Sequence, residues 1–249
     1  MRVLVTRPEP GAGRTAQRLR ALGHMPVLLP LTEVRALPAV LPVEAHDASA
    51  VVVTSANALR FADPRLLAPL IDKPCFAVGQ RTANLARSLG FHEVVAGPGD
   101  AEGLGRLIVR STETAATLAY LCGRLRRDAL ERELGAAGCR SVAIETYDTR
   151  DVSYTRQKLR AALGTEPIDA LLLYSLHAAE RLAVLWGAMA ECAGSATIIC
   201  ISRRTADVAA AIGGLSVLAA PQAHEDAMFA LLCNAATRLA SDPSLNGRV

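Results

Sequence analysis

The sequence predicts an α/β protein built from two parallel, doubly wound sheets. Three observations point there. Short apolar runs alternate with stretches of helical length and period along the chain, the pattern of strands joined by crossover helices. The chain is 51% apolar and 20% charged over 249 residues, enough to bury one large core or two smaller ones. It also echoes itself. Val51-Val52-Val53-Thr54-Ser55-Ala56-Asn57-Ala58-Leu59 returns as Leu171-Leu172-Leu173-Tyr174-Ser175-Leu176-His177-Ala178-Ala179. Each copy is a strand, a hydroxyl that can cap a helix, and a helix start.

Taken in order, Val3-Leu4-Val5 is the first strand and runs out at Thr6-Arg7-Pro8. Pro8, Pro10, Gly11 and Gly13 make a loop. Residues 15–22 form a helix closed by Gly23, and residues 26–29 form a second strand. Residues 32–35 are extended and half polar, and Pro38 and Pro42 after them read as a linker. Strands are then expected at 50–53, 75–78, 93–95, 117–121 and 141–144, with helices at 56–62, 81–89, 101–110 and 126–137. Residues 145–149 are extended and half polar like 32–35. After them come a helix at 151–163, a strand at 170–173, a helix at 178–190, a strand at 197–201, a helix at 205–212, a strand at 216–218 and a helix at 225–239. The polar tail 241–249 is expected to fray.

The echo extends beyond one site. Phe76-Ala77-Val78-Gly79-Gln80-Arg81-Thr82-Ala83 answers to Ile199-Cys200-Ile201-Ser202-Arg203-Arg204-Thr205-Ala206, and residues 18–27 answer to 133–142. The copies come in permuted order, which predicts one domain interrupted by another. Residues 1–31 with 150–249 form one α/β domain and 37–144 the other. Residues 32–36 and 145–149 run side by side as bridging strands. Both domains are expected to be flavodoxin-like, and a double crossing restrains a hinge more than a single linker does.

Composition narrows the function. Net charge is +3 and aromatics make up 4%. That argues against nucleic-acid platforms, which stack bases on rings, and suits a small anionic ligand. Arginines far outnumber lysines, and guanidinium is the better donor to carboxylates. The six cysteines form no C-x-x-C pair and no two histidines stand at i, i+4, so neither a metal site nor a disulfide framework is expected. The first residues lack the apolar core of a signal peptide, and no apolar run is long enough to span a membrane. A cytoplasmic protein with no membrane association is expected.

Ligands of open α/β sheets bind beyond the carboxyl ends of the strands. Those ends carry Thr6 and Arg7, Thr54 and Ser55, Gly79 with Thr82, Gly123 with Arg124, Ser175, and Ser202 with Thr205. Such residues donate hydrogen bonds to anions. They form no nucleophile–base pair, because no histidine or acidic partner recurs beside Ser55 or Ser175. No third group to orient His177 is evident, and it reads as a helix-start residue. Arg124-Leu125-Arg126-Arg127 falls at an expected helix start, where cations oppose the dipole, and this favours an anionic ligand there. Neither a Walker loop nor G-x-G-x-x-G is present. A non-catalytic two-domain clamp for a small anion would use the same residues.

Together, Val5-Thr6-Arg7-Pro8, Val53-Thr54-Ser55-Ala56-Asn57-Ala58, Val78-Gly79-x-x-Thr82-Ala83, Cys122-Gly123 with Arg127 and Leu130, and Glu145-Thr146-Tyr147-Asp148-Thr149 resemble the uroporphyrinogen-III synthase family in order and spacing. The resemblance covers nearly the whole chain. It implies an interrupted two-domain fold with a cleft between the domains. It also implies a hydro-lyase that cyclises hydroxymethylbilane, inverts the last pyrrole ring and releases water through azafulvenium and spiro intermediates, without cofactor or metal. The substrate carries eight carboxylates. By resemblance, Tyr147 donates the proton to the departing hydroxyl. Ser55, Thr82 and Thr205 match family positions that bind substrate or shape the cleft, and Thr6, Arg7, Thr54, Asn57, Gly79, Gly123, Arg124, Arg127 and Ser175 are expected to bind substrate with them. A monomer that meets the upstream bilane-forming enzyme transiently is expected. The chain departs from the family pattern at Tyr174-Ser175-Leu176-His177 and at Ser202, where a glycine is usual.

Overall fold

A computed structural model describes residues 1–241; most of the tail expected to fray lies outside the described residues. The chain opens with β1 (Arg2–Val5), α1 (Gly11–Ala21) and β2 (Met25–Leu28). It continues through β3 (Thr32–Ala36) and a short α2 (Val43–His46) into β4 (Ala50–Val53), α3 (Ala56–Arg60), α4 (Pro64–Leu67), β5 (Cys75–Ala77), α5 (Gln80–Ser88) and β6 (Val94–Ala96). Next come α6 (Ala101–Ser111), β7 (Thr117–Gly123), α7 (Ala129–Ala136) and β8 (Arg140–Asp151). The closing series is α8 (Arg156–Leu163), β9 (Ala170–Leu173), α9 (Leu176–Ala193), β10 (Thr197–Cys200), α10 (Arg203–Ala210), β11 (Val217–Ala219) and α11 (Glu225–Ser241).

The chain divides into two compact units. The first comprises Met1–Glu33 and Arg150 onward, and the second is Val34–Thr149. The sheet of the first unit runs β11-β10-β9-β1-β2, and the six-stranded sheet runs β3-β8-β7-β4-β5-β6. Counted along the chain within its own unit, the first order is the flavodoxin-like 2-1-3-4-5, and β4 to β8 give 3-2-1-4-5. The two orders become one when the first unit is counted from β9. Then β9 matches β4, β10 matches β5, β11 matches β6, β1 matches β7 and β2 matches β8. The sequence echoes fall on these pairs. β3 lies beside β8 at the sheet edge.

Both sheets are buried on both faces, as parallel sheets require. In β4, Val51 and Val53 enter one apolar cluster and Ala50 and Val52 the other. In β1, Leu4 faces one cluster and Val3 and Val5 the opposite one.

Three of the boundaries that differ from the sequence expectation have a visible local cause or consequence. α1 begins at Gly11 within the expected loop, because the amides of Gly11 and Ala12 both donate to the Pro8 carbonyl, at 3.1 Å each. α8 begins at Arg156, where Thr155 Oγ1 accepts from the Lys158 amide at 3.2 Å, so Asp151 ends β8 and is not helical. α7 begins at Ala129, which leaves Arg124 to Arg127 in a turn before the helix. Their conflict with the helix dipole, inferred from the expected start at 126, therefore does not arise.

Candidate active site

In the second unit β4 and β7 end beside Tyr147, which lies within β8. The register of β7 on β8 slips at one place: Cys122 pairs with Glu145, but Gly123 pairs with Tyr147. Thr146 is the extra residue of a bulge, a device that bends a strand and re-aims its side chains. Thr146 is fully buried, and its hydroxyl donates to the Ala58 carbonyl of α3 at 2.8 Å. The bulge sets the Tyr147 ring against Gly123. A Cβ on Gly123 would lie 2.6 Å from Cζ and 2.9 Å from the phenol oxygen of Tyr147. The Phe61 ring stands 6.3 Å from that of Tyr147, centroid to centroid. Burial raises the Tyr147 pKa above its ordinary value, partly offset by a hydrogen bond with Ser55. The phenol is therefore a protonated donor at neutral pH.

Ser55 also caps α3, its Oγ accepting from the Asn57 amide at 3.2 Å. With only five residues, α3 has a weak macrodipole, so hydroxyls and free amides matter more here than helix charge. The Thr54 hydroxyl meets the Tyr120 phenol at 2.9 Å, and the Asn57 carboxamide accepts from Arg60 at 2.7 Å. Burial pushes Tyr120 up to about 12. Gly79 precedes α5 in extended backbone, and a Cβ there would make only an ordinary 3.5 Å contact with Gly99. Thr82 is buried in the first turn of α5. Arg124 reaches Glu145 at 3.0 Å, and Arg126 reaches Glu145 at 2.9 Å and Glu131 at 3.1 Å. Hydrogen bonds from Arg124 and Arg126 hold Glu145 below its ordinary range. Arg127 is exposed and has no acidic partner among the described residues. It is the member of the basic cluster left available to an anion.

Loss of the Thr146 hydroxyl is expected to cost the most stability of any hydroxyl at this site. Thr146→Val strands the Ala58 carbonyl without its buried donor, at roughly 1–3 kcal/mol. Denaturant unfolding of the variant checks this.

In the first unit, Thr6 is fully buried and donates to the Leu172 carbonyl at 2.7 Å, a core role. Arg7 lies over the Tyr174 ring at 4.2 Å and reaches Glu225 at 3.2 Å. Ser175 is exposed and caps α9, accepting from the Ala178 amide at 3.1 Å. Ser202 caps α10 and meets the buried Thr205 hydroxyl at 3.0 Å. Its counterpart Gly79 supplies no side-chain cap to α5, so a serine at this position gives a cap where glycine gives access.

His177 requires a correction. It has acidic partners after all: Nε2 stands 2.7 Å from Asp151, Nδ1 stands 3.4 Å from Glu180, and Arg181 holds the other Asp151 oxygen at 3.0 Å. The main partner arrives from the end of β8, out of reach of local sequence spacing. Both ring nitrogens face carboxylates, so the ring does not serve Ser175 as a base.

Sequence reasoning missed Glu225. Its Oε1 accepts from Thr15 at 2.6 Å and Tyr174 at 2.7 Å, and its Oε2 from Arg18 at 2.6 Å. Burial raises its pKa, but the bonds from Thr15, Tyr174 and Arg18 outweigh burial and hold it below the ordinary value. Burial pushes the Tyr174 phenol up. A folded-state carboxylate pKa below the unfolded one gives stability that is fully present above roughly pH 5 and lost as pH falls through the folded value. Thermal unfolding between neutrality and acid pH is expected to show that loss, and E225Q is expected to flatten it.

A surface hollow of about 840 Å³ lies elsewhere, at the amino ends of β4, β5 and β7, lined by Ser49, Pro74 and Thr117 among others. The chemistry described above is at the opposite strand ends. Among the described residues no group of three or more histidine, cysteine, aspartate or glutamate side chains is placed to hold a metal ion. No helix among them is long and apolar enough to cross a membrane.

The family model described as uroporphyrinogen-III synthase HemD matches residues 13–230. The chain belongs to the uroporphyrinogen-III synthase family. It is an enzyme of tetrapyrrole synthesis that acts on a small molecule, and the family assignment gives no support to a non-catalytic clamp. Among solved structures, the uroporphyrinogen-III synthetase of Helicobacter pylori superposes with a TM-score of 0.64 at 19% identity, covering 94% of this chain and 98% of that one. A mutant uroporphyrinogen III synthase of Thermus thermophilus gives 0.56 at 19% identity, covering 96% and 99%. At this identity the likeness is one of fold. No curated protein sequence matches the chain closely enough to count as a relative.

Proposed function

We propose that the chain cyclises hydroxymethylbilane to uroporphyrinogen III, inverting ring D and releasing one water, as a hydro-lyase without cofactor or metal. The observation that carries this is the bulge at Thr146, which holds a protonated phenol on Gly123 beside Ser55 at the carboxyl end of the second sheet. Tyr147 gives its proton to the terminal hydroxyl of the bilane. The C–O bond breaks with its electron pair on oxygen, and water leaves. The azafulvenium cation formed is attacked by the substituted carbon of ring D, and the resulting spiro intermediate opens and closes again to the inverted ring. A ring proton lost at the end balances the one that Tyr147 gave.

Free bilane closes by itself to the uninverted isomer, so selectivity requires a held conformation. Exposed Arg127 and Ser175 and half-buried Ser55, Thr54 and Gly79 suit the substrate carboxylates. Thr6, Thr82 and Thr205 are buried and shape the edges that carry those residues. Arg124 and Asn57, already paired within the chain, contribute through the turns that they hold. The same reading describes a cytoplasmic monomer that meets the upstream bilane-forming enzyme transiently.

The test is to incubate hydroxymethylbilane with the protein, oxidise the product and resolve the porphyrin isomers. Type III product is expected. Type I alone, at the rate of buffer, would overturn the proposal.

A further inference from the structure

We propose that Glu225 is a positioning residue that fixes Arg7 as a receptor for a carboxylate, and this rests on the reading of the substrate as a polycarboxylate. Arg7 follows β1 and its guanidinium is confined on three sides. Glu225 at the start of α11 accepts from Nη1 at 3.2 Å. The Tyr174 ring lies beneath the guanidinium carbon at 4.2 Å. Gly11, the first residue of α1, leaves its Cβ space to the guanidinium, since a Cβ there would stand 2.4 Å from Nε. An arginine stacked on a ring and tied at one nitrogen keeps other N–H groups for a second acceptor, in a fixed plane. About a fifth of the Arg7 side chain remains exposed.

Glu225 is itself held for this task. Thr15 and Tyr174 donate to the oxygen that takes Arg7, and Arg18 donates to the other. These donors come from α1, the end of β9 and the end of β1, so one carboxylate fixes the geometry of three elements. A free arginine would have to lose rotamer freedom whenever substrate binds. Here that ordering is done in the folded protein, which leaves more of the contact as affinity.

The test is a double-mutant cycle with R7A, E225A and R7A/E225A. It reads the Kd for uroporphyrin III, an octacarboxylate, by absorbance titration, and the KM for hydroxymethylbilane. Each single variant is expected to weaken binding about tenfold and to raise KM by a similar factor, and the double variant is expected to be no weaker than R7A. Should E225A fold poorly, E225Q enters the cycle; it keeps the shape and loses the charge. A purely structural Glu225 would lower Tm and leave the Kd of the folded protein at the wild-type value. That result, or additive losses in the cycle, overturns the proposal. Wild-type protein that makes type III product while the cycle shows no coupling retires this inference alone. Wild-type protein that makes only type I while the cycle shows coupling retires the reaction and keeps the Arg7–Glu225 receptor.

Discussion

Tyr147→Phe is expected to lower kcat at least a hundredfold, within the ~10²–10⁴-fold contribution of a positioned acid, while the product stays type III. The variant keeps the ring that fills the space over Gly123 and faces Phe61, so the shape of the site survives. It loses the proton for the leaving hydroxyl and the hydrogen bond with Ser55. The isomer outcome depends on how the bilane is held, and positioning alone can supply up to about 7–11 kcal/mol in the best cases. Rate and selectivity should therefore separate. Burial raises the Tyr147 pKa, so wild-type kcat is expected to lose no activity to phenol ionisation until pH exceeds about 10. Single-turnover rates and porphyrin isomer ratios check both points. Unchanged kcat in the variant would remove the phenol as donor, and a fall to the uncatalysed rate with type I product would show that it also holds the substrate.

Much of the fold was legible because its signals are local. Val51-Val52-Val53 and Leu171-Leu172-Leu173 each read as a buried strand, and Ser55 and Ser175 each cap the helix that follows. The permuted echo pairs β9 with β4 and β10 with β5 from the sequence alone, because each βα unit carries its own turn chemistry. What escaped the sequence depends on long-range pairing. Nothing local marks Thr146 as a bulge, since the slip exists only in the register between β7 and β8. Nothing local singles out Glu225 at the start of the last expected helix, since its partners Thr15 and Arg7 lie 210 and 218 residues away. The same holds for His177 and Asp151. Gly123 read as a strand-end residue for an anion, and nothing local marks the close approach made there by the chain's own phenol ring.

Gly123→Ala is expected to reproduce most of the kcat loss of Tyr147→Phe without touching the phenol. The added methyl would stand 2.6 Å from Cζ and 2.8 Å from Cε2 of Tyr147, inside the contact distance of carbon atoms. The backbone there is paired into β7 and β8, and Gly123 faces a ring backed by Phe61. The ring is the part that must move, and its phenol moves with it, away from Ser55. Overpacking of this kind costs about 1–3 kcal/mol of stability, and a displacement of about 1 Å can cost a hundredfold in rate. Two further measurements isolate the cause. In a Tyr147→Ala background the methyl finds open space, so Gly123→Ala should cost no stability there. Combined with Tyr147→Phe it should lower kcat no further than the worse single change, because both act through one phenol. Full kcat in Gly123→Ala would mean that the phenol reaches its substrate from a displaced ring, and the bulge at Thr146 would then lose its part in aiming it.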